Sequence, residues 1–352
     1  MNKFWSKRLN AVAPYVPGEQ PKDRKYIKLN TNENPYPPCP AALDVVVSES
    51  NAELKLYPDP ECAKLREALA DYYNLSPNNV FVGNGSDEVL AFCFPAFFDP
   101  GCEIVFADIT YSFYPVYANL FGVNFRLIPL NDDLTMPVEK FCEPSDGVLI
   151  VNPNAPTSIA LPLEDVEKII SANSNCVVIV DEAYVDFGAQ SAVPLIEKYD
   201  NLLVVQTFSK SRSLAGLRVG YALGNENLIR ALDSVKNSIN SYTLDRVAIS
   251  AAAAAVDLKG YYEDICNKII MTRTWVTSEL RKIGFDVPDS KGNFVFAAHK
   301  EKPAKEIFEE LRKRGILVRY FNAPRIDNRL RITIGTDNEM EALVFALTKI
   351  LG

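Results

Sequence analysis

The feature that most constrains the fold is a series of short β-branched or aliphatic runs, several of which do not alternate with polar residues. They are Val80–Val82, Glu103–Ala107, Phe125–Leu130, Val148–Val151, Val177–Val180, Leu202–Gln206 and Val219–Leu223. A strand with one wet face alternates apolar and polar residues, so a continuous apolar run of strand length calls for cover on both faces. Segments with helical periodicity separate several of the runs. Between Glu61 and Tyr73, apolar residues recur at Cys62, Leu65, Leu69 and Tyr72, spacings of three and four that put them on one side of a helix. Such alternation predicts an α/β chain built on a mostly parallel or mixed sheet.

The texture changes at two places. The first 40 or so residues are rich in Pro, Asn and charge and read as an extended arm. After about Tyr242 an alanine-rich run, Ala251–Ala255, leads into helix through Lys282, followed by a strand-like Asn293–Ala298. Pro303–Arg314 then reads as a helix with Pro at its start and Gly315 just past its end, and Ile316–Arg319 and Arg329–Ile334 read as strands. The expected organisation is an arm (1–40), a large domain (41–245) and a smaller α+β domain (246–352).

Composition narrows the chemistry. Lys plus Arg number 37 against 45 Asp plus Glu, a net charge of −8, which argues against broad nucleic-acid binding. There is one histidine, His299. That excludes zinc sites built from several histidines and leaves a Ser-His-Asp triad one candidate base, so acid–base chemistry is expected on Lys, Tyr or carboxylates, with no metal. His299 itself follows an apolar strand and reads as a surface or loop residue. The seven cysteines are scattered and form no CxxC pair, which suits reduced thiols in a cytoplasmic protein. The opening residues lack the apolar run of a signal peptide, and no apolar stretch approaches the roughly 18 residues of a membrane span.

Four motifs lie where predicted strands end. In Leu202–Tyr221 a buried strand closes on Ser209-Lys210, and Arg218 follows eight residues later. A lone Lys is ordinarily a solvated surface residue. At the mouth of an apolar strand it stands where open α/β sheets bind ligands, and a partly desolvated Lys beside another cation is a nucleophile toward aldehydes. Asp181 closes Val177–Val180, either as a helix N-cap or as an anion for a protonated ring nitrogen, with Tyr184 three residues on as a donor to a phenolic oxygen. Gly83-Asn-Gly85-Ser86-Asp87-Glu88 follows a strand and opens a helix, the setting of an anion site, although Asp87 suits simple capping equally well. It is not a dinucleotide fingerprint, because Glu88 stands where the third Gly belongs. Tyr111 fits a stacking partner for a flat ligand or a core aromatic. Lysine, strand-end acid, phosphate-type turn and aromatic together match the needs of pyridoxal phosphate.

With these motifs in order, the chain resembles the histidinol-phosphate aminotransferase family of fold-type I pyridoxal-phosphate-dependent aminotransferases. The resemblance also rests on Pro14-Tyr15-Val-Pro-Gly18, Lys28-Leu-Asn-Thr-Asn-Glu-Asn-Pro35, Leu56-Tyr57-Pro-Asp-Pro60, Leu214-Ala-Gly-Leu-Arg218 and Leu330-Arg331-Ile-Thr-Ile-Gly335, and it covers nearly the whole chain. It implies a large domain with a mostly parallel seven-stranded sheet, a smaller α+β domain, a homodimer, and transamination of L-histidinol phosphate with 2-oxoglutarate by ping-pong chemistry. An aromatic-amino-acid aminotransferase or a threonine-phosphate decarboxylase on the same scaffold would carry almost the same cofactor residues.

The resemblance also implies roles. Lys210 would carry pyridoxal 5'-phosphate as the internal aldimine, Asp181 would pair with the ring nitrogen, Tyr184 would bond the ring oxygen and Tyr111 would stack on the ring. Ser86, Asp87, Ser209 and Arg218 would hold the phosphate, and Tyr57 would reach the partner subunit's phosphate. Tyr15, Arg319 and Arg331 resemble ligands of the substrate's phosphate and carboxylate. Among the Arg residues from 319 to 331, Arg325 and Arg329 read as solvated edge residues. One departure stands out. Where the family commonly reads NPNNPTG, this chain reads Asn152-Pro-Asn154-Ala155-Pro-Thr-Ser158. Ala155 cannot bond the ring oxygen, which leaves Asn154 as a neighbouring substitute or Tyr184 alone.

Overall fold

The computed structural model describes residues 3–6 and 8–352. Its larger sheet has seven strands, in the spatial order Val80–Asn84, Val219–Gly224, Leu202–Thr207, Val178–Asp181, Gly147–Val151, Glu103–Ala107 and Asn124–Ile128. Six of these run parallel to one another, and Val219–Gly224 runs against both of its neighbours. The expected α/β architecture with a mostly parallel seven-stranded sheet is therefore present, and every apolar run of the sequence lies in it.

Burial on both faces explains the missing alternation. Along Val178–Asp181, Val178 and Val180 join one core cluster and Ile179 the other. One face packs against helices Gly85–Phe97, Tyr114–Phe121 and Glu226–Ile239, the other against Ala63–Tyr73, Leu163–Ala172 and Arg246–Val256. The helix expected over 61–73 begins at Ala63, because the Asp59 carboxylate accepts the amides of Glu61 (3.0 Å) and Ala63 (2.7 Å) and caps it there. The helical stretch through Lys282 is two helices, Arg246–Val256 and Lys259–Lys282, the first capped by Asp245 accepting the Ala248 amide at 2.8 Å.

A smaller antiparallel sheet takes the order Arg319–Tyr320, Leu330–Thr333, Phe294–His299, Phe285–Asp286. Helices Lys259–Lys282, Ala304–Lys313 and Asp337–Leu351 accompany it, the last opened by a capping box between Thr336 and Glu339. The leading segment is more than an extended arm. Ile27–Lys28 pairs in parallel with Ile316–Leu317, the Thr333 amide donates to the Leu29 carbonyl at 3.0 Å, and Leu29, Asn30 and Asn32 are buried. The buried backbone at its end finds its partners in the strands Ile316–Leu317 and Leu330–Thr333, while residues 20–25 are mostly exposed.

His299 closes its strand as a turn former. Its Nδ1 accepts the amides of Glu301 (3.2 Å) and Lys302 (2.9 Å), which leaves Nε2 to donate to the Ile283 carbonyl at 3.1 Å. No helix among the described residues is long and apolar enough to cross a membrane, and no cluster of three or more His, Cys, Asp or Glu is placed to hold a metal.

Gly220 is where the larger sheet admits the helix Gly85–Phe97. A Cβ there would lie 2.1 Å from the Ser86 amide nitrogen and 2.4 Å from the Gly85 carbonyl carbon. Gly220→Ala is expected to push the helix start off the sheet and lower stability by about 1–3 kcal/mol, measured by urea denaturation. A variant as stable as the wild type would show that the helix start yields without cost.

Candidate active site

The parallel strands deliver their carboxyl ends to one edge of the larger sheet. The single antiparallel strand delivers its amino end there, with Asn84 opposite Val219 and Thr207 opposite Gly220. That reversal places Arg218, immediately before its strand, beside residues that follow theirs. The chain order also reverses at this edge, passing from Glu103–Ala107 outward to Asn124–Ile128 and back to Gly147–Val151, the kind of switch point at which open sheets bind ligands. A cavity of about 320 Å³ opens there.

One end of the cavity is built for an anion. The helix Gly85–Phe97 starts at it, its Asn84 side chain makes no cap bond, and Ser86 and Asp87 line the wall. Arg218 donates to Asp87 Oδ2 at 3.1 Å and to Ser209 Oγ at 3.4 Å, while the Tyr111 hydroxyl donates to Asp87 Oδ1 at 2.6 Å. The Asp87 carboxylate therefore orients Tyr111 and Arg218, and what this residue offers an anion is its backbone amide. Gly85 sits at φ +80°, and a Cβ on it would lie 2.5 Å from Arg218 Nη2, so the cradle depends on the missing side chain.

Asp181 ends its strand buried in the cavity wall. Its Oδ1 accepts the Ala183 amide at 3.1 Å and its Oδ2 the Tyr114 hydroxyl at 3.2 Å, but it caps no helix, because the next one, Val185–Phe187, follows Tyr184. Burial raises its carboxyl to about 6, against the opposing pull of these hydrogen bonds. Lys210 is half-buried, with Nζ 3.4 Å from the Thr31 carbonyl and 5.6 Å from the Tyr184 ring centre. Tyr184 is buried beneath it, edge-on to Phe294.

The far end carries a second cationic group. Arg331 donates from Nη2 to the Asn30 carbonyl at 2.9 Å, its guanidinium lies 5.6 Å from the rings of Phe294 and Phe321, and its Nε is buried without a partner. Burial lowers its pKa from the ordinary guanidinium value. Arg319 reaches the carbonyls of Val16 (3.3 Å) and Pro17 (3.5 Å), and Tyr15 stacks on Phe113 at 4.4 Å. Tyr15, Arg319 and Arg331 line the same cavity as Lys210.

Two residues singled out in the sequence do not line it. Asn154 is turned into its own loop: Nδ2 donates to the Ile109 carbonyl (2.9 Å) and Thr157 Oγ1 (3.0 Å), and Oδ1 accepts from Thr110 (3.0 Å). Its hydrogen bonds are spent there, so it does not replace the amide absent at Ala155, whose methyl does line the cavity. Tyr57 is 81% exposed and stacks on Tyr242 at 4.7 Å, outside this chain's cavity. Arg325 and Arg329 are ion-paired, not merely solvated, each at 2.7 Å: Arg325 with Asp108 and Arg329 with Asp286. Arg325 thereby joins the two sheets, and neither Arg lines the cavity.

The sequence reading passed over Tyr114, Thr31 and Asn32. Tyr114 stands three residues after Tyr111, but only the fold shows that it and not Tyr111 holds Asp181. The Asn-rich run from Asn30 was the available signal for the other two.

A cavity with an anion cradle at one end, a lysine and a buried acid at its centre and cations at the other suits transfer of an amino group. The family model for class I and II aminotransferases matches residues 24–347. A histidinol-phosphate aminotransferase from Clostridium acetobutylicum is 59% identical over 97% of both chains, and one from Marinomonas is 57% identical over 99% of both. A solved histidinol-phosphate aminotransferase from Sinorhizobium meliloti, in complex with pyridoxal-5'-phosphate, superposes with a TM-score of 0.89 at 25% identity, covering 100% of this chain and 98% of that one. The chain belongs to the histidinol-phosphate aminotransferase family, within the class I and II aminotransferases.

Because Asp181 has a raised pKa in the folded chain, its contribution to stability is fully present at low pH and is lost as pH rises through about 6. In cofactor-free protein, Asp181→Asn removes that loss. It is expected to stabilise the chain by on the order of 2–3 kcal/mol near pH 8 and to have little effect near pH 4. Urea denaturation at both pH values reads this, and an equal effect at the two would show that Asp181 ionises without cost.

Proposed function

We propose that this chain catalyses reversible amino transfer between L-histidinol phosphate and 2-oxoglutarate in histidine biosynthesis, with pyridoxal 5'-phosphate as its resident cofactor. The observation that carries the reading is the single cavity that joins Lys210 to two separate cationic ends, Arg218 at one and Arg319 with Arg331 at the other. One end suits the cofactor's phosphate and the second suits the phosphate or carboxylate of a substrate. The alternatives, aromatic amino acids or threonine phosphate, are not favoured, because curated relatives at 50–59% identity carry the histidinol-phosphate name.

The cavity's residues suit the cofactor's phosphate, ring nitrogen, ring oxygen and ring face. Ser86, Ser209, Arg218 and the first amides of the helix would hold its phosphate, Asp181 its ring nitrogen, Tyr184 its ring oxygen and Tyr111 its face. When bound, the cofactor supplies an aldehyde that takes up the substrate amine and a ring that draws off electrons from the neighbouring carbon. An ionised Asp181 keeps that ring protonated, and the pairing offsets the cost of burying the carboxylate. Lys210 Nζ would take the proton from the substrate carbon as a base and, as an acid, deliver it to the cofactor carbon that receives the amino group. Both half-reactions use the one cavity in turn, so ping-pong kinetics are expected.

Arg331, buried with an unpaired N–H, provides the discrimination, since a substrate without an anionic group leaves it unsatisfied. The chain would divide into an arm (1–40) whose end pairs with the small domain, a large cofactor-binding domain (41–245) and the small domain (246–352), and act as a cytoplasmic homodimer in which the exposed Tyr57 reaches the partner's cofactor phosphate.

Protein incubated with pyridoxal phosphate is expected to be yellow, and borohydride to attach the cofactor covalently at Lys210, as read by peptide mass. Lys210→Ala should carry no adduct at that position; a colourless wild-type protein would overturn the cofactor assignment. Side-by-side kcat/KM values on histidinol phosphate, phenylalanine and threonine phosphate test the substrate, and a higher value on either competitor would overturn it. Arg331→Ala is expected to lower kcat/KM for histidinol phosphate by about 100-fold, the worth of one or two charge-assisted hydrogen bonds.

A further inference from the structure

Tyr184 Oη accepts a hydrogen bond at 3.0 Å from Nδ2 of Asn32, a residue 152 positions earlier in the chain. The direction of that amide follows from its neighbours. The Thr333 hydroxyl accepts the Asn32 backbone N–H at 3.0 Å and gives its own hydrogen to Asn32 Oδ1 at 3.1 Å. With Oδ1 engaged by Thr333, the NH₂ end faces Tyr184. Asn293 Nδ2 donates to the Asn32 carbonyl at 3.0 Å, so this buried residue, held at φ +55°, is bound on every polar atom. Thr333 and Phe294 are directly opposed in the smaller sheet, and Phe294 packs edge-on against the Tyr184 ring at 5.0 Å. One strand pair thus supports both the Tyr184 ring and the residue that bonds its oxygen.

A phenol oxygen that accepts an N–H still has its own proton to give. Ala155 presents only a methyl to the cavity, and Asn154 is committed elsewhere, so no amide of that loop competes for the same ligand atom. We infer that Asn32 is a positioning residue: by donating to Tyr184 Oη it keeps the phenol hydrogen directed into the cavity, so that Tyr184 serves as an obligate donor to the ring oxygen of the cofactor. This rests on the proposed function. It makes the smaller sheet, through Thr333 and Asn32, part of the machinery that sets the electronic state of a cofactor held by the larger one.

The test uses the full chain loaded with pyridoxal phosphate, without substrate, and reads the pH midpoint of the cofactor's visible absorbance. A donor to the ring oxygen draws charge from it and weakens its hold on a proton, so losing the donor raises the midpoint. Tyr184→Phe sets the full effect, about one pH unit upward for a hydrogen bond to a charged oxygen. Asn32→Gly removes the amide without adding charge and tolerates the positive φ. It is expected to raise the midpoint by at least half as much, and Asn32→Gly/Tyr184→Phe to match Tyr184→Phe alone. The charged groups facing Tyr184, Lys210 and Arg331, are unchanged in all of these variants. An Asn32→Gly midpoint equal to wild type, or a double variant shifted beyond Tyr184→Phe, would overturn the inference. Should Asn32→Gly not fold, Thr333→Val releases the amide while keeping Asn32: an upward shift supports the inference and an unmoved midpoint overturns it. A wild-type protein that binds no cofactor would fail the functional reading instead.

Discussion

Three consecutive residues, Asn30 and Asn32 buried and Thr31 half-buried, bind the parts of the candidate site together. The Asn30 carbonyl accepts Arg331, the Thr31 carbonyl lies nearest the Lys210 amine, and the Asn32 amide donates to Tyr184. Their neighbour Leu29 is locked by backbone bonds to Leu317 and Thr333. Buried backbone groups must find partners, and here those partners are the functional side chains themselves. The proposed substrate anchor, proton carrier and cofactor ligand are therefore all set by a single short segment. Displacing it would disturb all three at once.

The larger sheet contributes a second constraint, one of direction. Parallel strands bring Ser86, Asp181 and Lys210 to one edge, and only a reversed strand can bring Arg218 there from its other end. The reversed strand must then lie under the start of the helix Gly85–Phe97, which leaves no room for a side chain at residue 220. The proposed anion cradle at this edge is thus a product of strand polarity and close backbone approach as much as of the charged residue.

Charge is distributed against the sum. The chain carries a net charge of −8, yet its cavity gathers Lys210, Arg218, Arg319 and Arg331. The acids that share the region are few and engaged. Asp87 is held by Arg218 and Tyr111, and Asp181 is buried with its carboxyl pushed up to about 6. A group with a midpoint in that range changes state with whatever cation is brought beside it, which is the property required of a partner for a ring nitrogen.

Local sequence determined which segments would be strands and helices, because apolar periodicity reports burial directly, and seven short apolar runs became seven strands. It also exposed Lys210, Asp181, Tyr184, Ser86, Ser209 and Arg218, because each stands at a strand end or a helix start where chain direction alone aims it at a common edge. It could not separate Tyr111 from Tyr114, three residues apart, since their roles depend on which ring faces the acid across the packed helix. It could not show that Asn154 is turned away, that Arg325 and Arg329 are ion-paired, or that Asn32 reaches Tyr184. Those depend on pairings across tens to hundreds of residues, and only the packing of one sheet against the other brings the partners within hydrogen-bond distance.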